Sequence, residues 1–276
     1  MKFDRVVIIQ KLDNKEDVIV KHIVSSMIHL VEKYNIPVVL DSNSTYNSNT
    51  LFIAVGGDGT MLYTLKKAAA VGALAIGVNA GKVGFLTDVF REQLFTTLAP
   101  LLSDQSYVPP ILLRMMLKTS VCGSEFISMN ELTIAHSESD TILNFGLFID
   151  GEFAGSHRAN SVVISTPTGS TAYALSAGGA ILHPSMEAIE IVPVASLKMA
   201  SRPIVVSGHS TIRIEAKYSQ GLPVVIRSDG QKAFVQSSDT KEVEITVKQS
   251  DQKAKAILSK DWNFFDVLST KMGWLS

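Results

Sequence analysis

An α/β half followed by a β-rich half is the fold class the sequence predicts. The expected architecture is a parallel, Rossmann-like sheet covered by helices, then a β-sandwich type of domain. Three observations carry this. Up to Ser103, continuously apolar runs alternate with segments of helical period, which is how a parallel sheet buried on both faces is written. At "YVPPILLRMM", Pro109 and Pro110 punctuate the chain and the texture changes to short alternating β runs. The length of 276 residues, with 46% hydrophobic and 18% charged residues, suits one large domain or two modest ones with a substantial core.

In order along the chain, "RVVIIQ" (5–10) reads as a strand. "KEDVIVKHIVSSMIHLVEKYN" (15–35) places Ile19, Ile23, Met27, Leu30 and Tyr34 close to the 3.6 period of an amphipathic helix. "IPVVL" (36–40) is a second strand, residues 41–50 a polar loop, and "LFIAV" (51–55) a third strand. "TMLYTLKKAAAVG" is a helix closed by Gly72. "ALAIGVN" (73–79) is a fourth strand and "REQLFTTLAPLLS" (91–103) a further helix. From the two prolines onward, "ILLRMMLKT", "FISMNELTIA", "ILNFGLFIDG", "TIRIEA", "PVVIRSDG", "KAFVQ" and "EVEITV" are short strands separated by turn signals. The end, "SKDWNFFDVLSTKMGWLS", reads as a short amphipathic helix rich in aromatic residues. The expected division is residues 1–106 as the α/β domain and 107–257 as the β-rich domain, with the tail 258–276 either completing the first or capping the second.

A net charge of −1 argues against nucleic acid or an anionic membrane as partner, so an anionic ligand would need local donors and a metal ion. The single cysteine, Cys122, excludes an internal disulfide framework, and "MKFDRVVIIQ" lacks a secretory pattern; the expectation is a cytoplasmic protein. No apolar run reaches the roughly 18 residues that span a bilayer. The six histidines show no ligand spacing, so no protein-bound structural metal is expected.

"LFIAVGGDGTMLYTL" (51–65) sets one carboxylate, Asp58, among glycines at a strand-to-helix junction. Orphan backbone N–H groups and the helix dipole favour phosphate oxygens there. The turn is not a P-loop, because no G-x-x-x-x-G-K-[ST] occurs, nor the dinucleotide fingerprint, which should follow the first strand. A plain βα turn with Asp58 as N-cap or dipole partner is the competing reading. "SVVISTPTGSTAYALSAGGAI" (161–181) is more informative. Ser165, Thr166, Thr168, Ser170, Thr171 and Tyr173, with Gly169, Gly178 and Gly179, supply short donors and close backbone approach suited to polyphosphate or ribose; the alternative is a loop of turn formers. "MNELTIA" puts Asn130 beside Glu131, able to read an amide and a ribose but equally an exposed turn. "GVNAGKVGFLTDV" offers glycine-rich backbone, Asn79, and Phe85, which suits either an adenine or the core.

Taken together, GGDGT after a buried strand, N-x-G-x-x-G-F-L-T after the next, the NE pair and TPTGSTAYALSAGG resemble the NAD kinases over nearly the whole chain. The long second motif is specific; GGDGT alone is not, because lipid kinases and phosphofructokinases carry similar turns. The resemblance implies phosphorylation of the adenosine ribose 2′-hydroxyl of NAD by ATP with a divalent metal, magnesium carried with ATP, to give NADP. It implies Asp58 as catalytic base with Gly59 beside it at the ligand. Asn130 and Glu131 would hold the dinucleotide. Thr168, Thr171, Ala172, Tyr173 and Ser176 would line the NAD site, with Arg158, Asn160, Ala195 and Gln231 as further contacts. It also implies a homo-oligomer, tetramer or dimer, whose NAD pocket draws on a neighbouring subunit.

Two positions depart from the family pattern. Asn160 stands where an Asp is common after the arginine, which keeps shape but loses charge. Tyr63 stands where many members carry a basic residue, so a phosphate contact is lost or moved to another side chain such as Lys82. These departures keep a catalytically weak NAD(P)-binding sensor as the alternative of a different class. A lipid kinase sharing the turn is the nearest enzymatic alternative, although no amphipathic stretch for a membrane stands out.

Overall fold

The computed structural model describes residues 3–10, 18–41, 45–81, 84–104, 106–138, 141–198, 200–217, 222–236 and 242–273. It divides into two compact units, Met1–Arg114 with Gln252–Ser276, and Met115–Asp251.

The first unit is the α/β one. Its sheet has β1 (Arg5–Gln10) between β2 (Val38–Leu40) and β3 (Thr50–Gly56), then β4 (Leu74–Asn79), all parallel. β3 and β4 are buried along their whole length, as the uninterrupted apolar runs require. The helix α1 (Val18–Glu32) buries Val20, Ile23, Val24, Met27, Leu30 and Val31. Ile19, expected on that stripe, is about half exposed; Val20 takes its place because the continuous stripe runs through 20, 23–24, 27 and 30–31. The part of the expected helix before Val18 lies outside the described residues, as do Lys82 and Trp274. The helix α2 (Asp58–Ala69) leads from the glycine turn, and α3 (Leu94–Ser103) follows one 3-10 turn at Arg91–Gln93.

Two strands finish this sheet in a way the sequence does not announce. β5 (Ile111–Arg114) and a late strand, β18 (Ala254–Ile257), form its other edge, β18 parallel to β4 and antiparallel to β5. The run "ILLRMMLKT", expected as one strand of the β-rich domain, is therefore two. Ile111–Arg114 belongs to the first sheet, and β6 (Leu117–Val121) to the second unit. The chain returns to the first unit from residue 252, and α5 (Phe264–Met272) packs there through Phe264 and Leu268. Asn263 caps it at one end and Gly273, left-handed, closes it at the other.

The second unit is a sandwich of two antiparallel sheets, six-stranded among the described residues. One holds β6, β7 (Ser124–Ser128), β9 (Leu143–Ile149), β10 (Glu152–Ala159), β14 (Ile212–Lys217) and β17 (Glu242–Gln249). The other holds β8 (Glu131–His136), β11 (Ser161–Ser165), β12 (Ala188–Val194), β13 (Ile204–Ser207), β15 (Val224–Ser228) and β16 (Gln231–Gln236). Alternate residues meet in one core: Phe145 and Leu147, Ile212 and Ile214, and Ile245 and Val247 from the first; Leu132 and Ile134, Val162 and Ile164, and Ile189 and Ile191 from the second. This is the period-two pattern of a sandwich interior. No helix among the described residues is long and apolar enough to cross a membrane.

Candidate active site

In the α/β unit, Gly56 ends β3 at φ +153°, and a Cβ there would meet Thr60 Oγ1 at 2.6 Å, so the fold itself demands glycine. The next two glycines differ. A Cβ on Gly57 or on Gly59 would meet nothing within 4 Å. The helix-capping residue Gly57 contributes no side-chain cap; its carbonyl takes the Thr60 and Met61 N–H groups at 3.1 Å, and the turn before them is open to an outside acceptor. Asp58, the first residue of α2, accepts from the backbone N–H of Phe85 at 2.9 Å and of Leu86 at 2.9 Å, one on each carboxylate oxygen. Its approach explains Gly84, where a Cβ would collide with the same carboxylate.

Asn79 is buried at the end of β4, accepting from Gly81 N–H at 2.7 Å and donating to Thr87 Oγ1 at 3.4 Å. It therefore shapes the loop that Asp58 holds. Phe85 is half-buried. Behind the loop lies Arg114, whose Nη2 donates to the Phe85 carbonyl at 3.5 Å. Burial pulls the Arg114 guanidinium down to about 10, opposed by Asp88 and Asp58. Asp88 accepts from Ser259 N–H at 2.6 Å and is pushed up by its own burial. In front, Lys271 of α5 reaches within 3.6 Å of Asp58 Oδ2.

In the β-rich unit, Asn130 and Glu131 open β8. Their backbone is gripped by Asp229, whose carboxylate accepts the N–H groups of Met129 at 3.0 Å, Asn130 at 2.7 Å and Glu131 at 3.3 Å. Asp229 and Gly230 form the two-residue β15–β16 hairpin with φ of +50° and +75°, the Asp-Gly turn of a tight hairpin. Glu131 is 5% exposed. Burial chiefly, and then the Asp229 charge, push its carboxyl up to about 7. Among the described residues Asn130 Oδ1 and Glu131 Oε2 are buried acceptors without a hydrogen bond, an arrangement that suits a ligand donor.

The TPTGS segment interlocks with this turn. Thr166 Oγ1 donates to Met129 O at 2.8 Å and accepts Gly169 N–H at 3.1 Å, and Thr166 N–H donates to Asn130 O at 2.9 Å. Ser165 and Ser170 are buried and bonded to backbone carbonyls. The hydroxyl cluster thus largely builds the turn, with Thr168 buried in it. Beyond it, Thr171 and Ala172 are half-buried, Tyr173 is 43% exposed and Ser176 is exposed on the short helix α4 (Tyr173–Ser176). Glu190 of β12 accepts from Ala180 N–H and lies against Gly179.

Residues 15–107 match the family model of the ATP-NAD kinase N-terminal domain, and residues 129–259 that of the C-terminal domain. The chain belongs to the ATP-NAD kinase family. The NAD kinase of Azotobacter vinelandii is 36% identical over 229 residues, covering 81% of this chain and 76% of its own. That of Serratia proteamaculans is 38% identical over 231 residues, covering 81% and 76%. Among solved structures, a yeast NADH kinase complexed with NADH matches at TM-score 0.83 and 22% identity, covering 100% of this chain and 89% of that one. An NAD kinase from Archaeoglobus fulgidus in complex with ATP matches at 0.75 and 23%, covering 96% and 98%.

Within this member of the ATP-NAD kinase family, the structure gathers Asp58, Gly59, Asn79 and Phe85 in the α/β unit. It gathers Asn130, Glu131, Thr168 and Gln231 around the Asp229 turn of the other. Arg158, Asn160 and Ala195 form a third group: Asn160 N–H donates to Val194 O at 3.0 Å, and Leu197 N–H to Arg158 O at 2.9 Å. Sequence reasoning passed over Asp229, Arg114 and Lys271. "SDG" reads only as a turn, Arg114 as part of a strand, and Lys271 as a charge near the chain's end.

Proposed function

We propose that the chain transfers the γ-phosphoryl group of ATP to the 2′-hydroxyl of the adenosine ribose of NAD, giving NADP and ADP. One observation carries this beyond family membership. Asp58 is fixed by two N–H groups at the start of α2, flanked by Gly57 and Gly59, whose missing side chains leave open space. Backbone kept bare beside a held carboxylate suits a phosphate chain next to a hydroxyl acceptor. Each Asp58 oxygen, bonded once, retains a lone pair for the hydroxyl. A carboxylate is too weak a base to deprotonate an alcohol in advance. The proton therefore passes to Asp58 as the bond from the 2′-oxygen to phosphorus forms and the bond from phosphorus to the β–γ bridging oxygen breaks.

The bare turn offers N–H donors, which suit phosphate rather than a cation; the divalent ion is assigned to the ATP complex, where it neutralises phosphate charge. Asn130 and Glu131 are assigned to the dinucleotide on the strength of their two unpartnered buried acceptors. Thr168, Thr171, Ala172, Tyr173, Ser176 and Gln231 are assigned to the NAD contact surface. We also read the chain as a cytoplasmic homo-oligomer, dimer or tetramer. Arg158, Asn160 and Ala195 lie at one end of β11 and Thr166–Thr171 at the other, roughly 20 Å apart at strand rise, a spacing that suits service to a neighbouring copy's pocket.

The test is NADP formation from NAD, ATP and magnesium, run beside Asp58→Asn, with NAD affinity measured by calorimetry. The expected result is a loss in kcat of about 10²–10⁴-fold with NAD affinity nearly kept. Full turnover by Asp58→Asn would remove Asp58 as the base. NAD binding without NADP formation by the unmodified protein would favour the sensor reading.

A further inference from the structure

The C-terminal helix brings a cation to the catalytic carboxylate. Lys271 Nζ lies 3.6 Å from Asp58 Oδ2 and 5.4 Å from the centroid of the ring of Phe85, the residue whose N–H donates to the same oxygen. Two cations bear on Asp58, and their settings differ. Arg114 is 3% exposed and directed at the Phe85 carbonyl, so it is fixed behind the loop. The Lys271 side chain is 30% exposed, on the last turn of a helix whose ends are capped and whose Phe264 and Leu268 are buried. The helix is anchored while the ammonium stays partly open to solvent. On α2 itself, Lys67 is paired with Asp41 and lies against the Tyr46 and Tyr63 rings.

We propose that Lys271 is a catalytic cation of the phosphoryl-transfer site, neutralising Asp58 when no ligand is bound and engaging the transferred phosphoryl oxygens during reaction. This rests on the phosphoryl-transfer reading above and extends it to a residue that reading does not use. A phosphoryl group delivered beside Asp58 brings anionic oxygens against a carboxylate, and that repulsion needs a mobile positive charge. A lysine ammonium on a flexible stem, with three donors, suits the task. No bond to Lys271 forms or breaks. The 2′-oxygen gains phosphorus, the bridging oxygen leaves with ADP, the hydroxyl proton goes to Asp58 and the ammonium keeps its protons.

The test uses the full-length chain with Lys271→Met, which keeps bulk on Phe85 and removes charge, and Lys271→Arg, which keeps charge. Expected for Lys271→Met is a kcat lower by about 100-fold, a higher KM for ATP, and an unchanged calorimetric NAD affinity and melting temperature. Lys271→Arg should restore at least a tenth of wild-type kcat. Wild-type turnover by Lys271→Met, or equal losses in both variants, would overturn this proposal alone. Absence of NADP from the unmodified protein would overturn it together with the phosphoryl-transfer reading.

Discussion

The two glycine-rich motifs look alike on paper and are built for opposite ends. In the GGDGT turn, Gly57 and Gly59 face open space; nothing in the folded chain forbids a side chain there. In the longer TPTGSTAYALSAGG motif, a Cβ on Gly169 would meet the backbone of Asn130, and one on Gly179 would meet Glu190 and the Ala174 carbonyl. Beside Asp58 the first motif is open, whereas at Gly169 and Gly179 the second is closed by its neighbours. Small residues can thus reserve room for a ligand, or let two chain segments close on each other so that a third group is held in register. Here the held group is the Asn130–Glu131 turn, fixed from one side by Thr166 and from the other by Asp229.

Substitutions can break this contrast. Gly169→Ala has the largest expected effect: the neighbours are backbone and cannot swing aside, so we expect a loss of at least about 3 kcal/mol in urea unfolding. A near-neutral result would mean that the packed reading of the segment is wrong. Glu131→Gln sharpens it next. The native carboxyl titrates near 7 instead of near 4.5, so over that interval the native state binds more protons than the unfolded chain. Stability from this group is complete below about 4.5 and declines as pH rises towards 7, by about 3 kcal/mol in all at 1.36 kcal/mol per unit. Unfolding midpoints measured from pH 4 to 8 should fall less steeply for Glu131→Gln than for wild type, and parallel curves would sink the assignment. Gly59→Ala has the smallest effect on stability. Within α2 it should stabilise by about 0.5–1 kcal/mol through helix propensity, while raising the KM for ATP at least tenfold. A variant made less stable would show that the space beside Gly59 is not open, and one with unchanged kinetics that it serves no ligand.

Much of this was legible because each feature was local. The βα alternation, the Gly72 helix stop and the sandwich pattern each depend on residues a few positions apart. The glycine turn and TPTGS stood out for the same reason. What stayed hidden was distant in sequence. Asp229 grips an N–H group 100 residues away at Met129, and Lys271 meets Asp58 across the whole β-rich insertion. Neither residue type is unusual in its own surroundings. β18 is hard to read in the sequence because "AKAI" is short, and its strand character comes from the two neighbours that flank it. The hydroxyl-rich segment was read for its chemistry, while burial decided where most of those hydroxyls point.

The placement of β18 has a consequence for how the chain is made. Synthesis delivers residues 115–251, the β-rich unit, as one uninterrupted stretch, so it can fold while still attached to the ribosome. The α/β unit is completed only after that stretch, when the residues from 252 onward arrive. When β4 emerges, the neighbour it will bond, Ala254–Ile257, has not been translated, and β5 waits for the same strand. Until then β4 presents an apolar edge open to wrong partners. The α/β unit is begun before the β-rich unit and finished after it, and the segment that finishes it also carries Lys271 to Asp58.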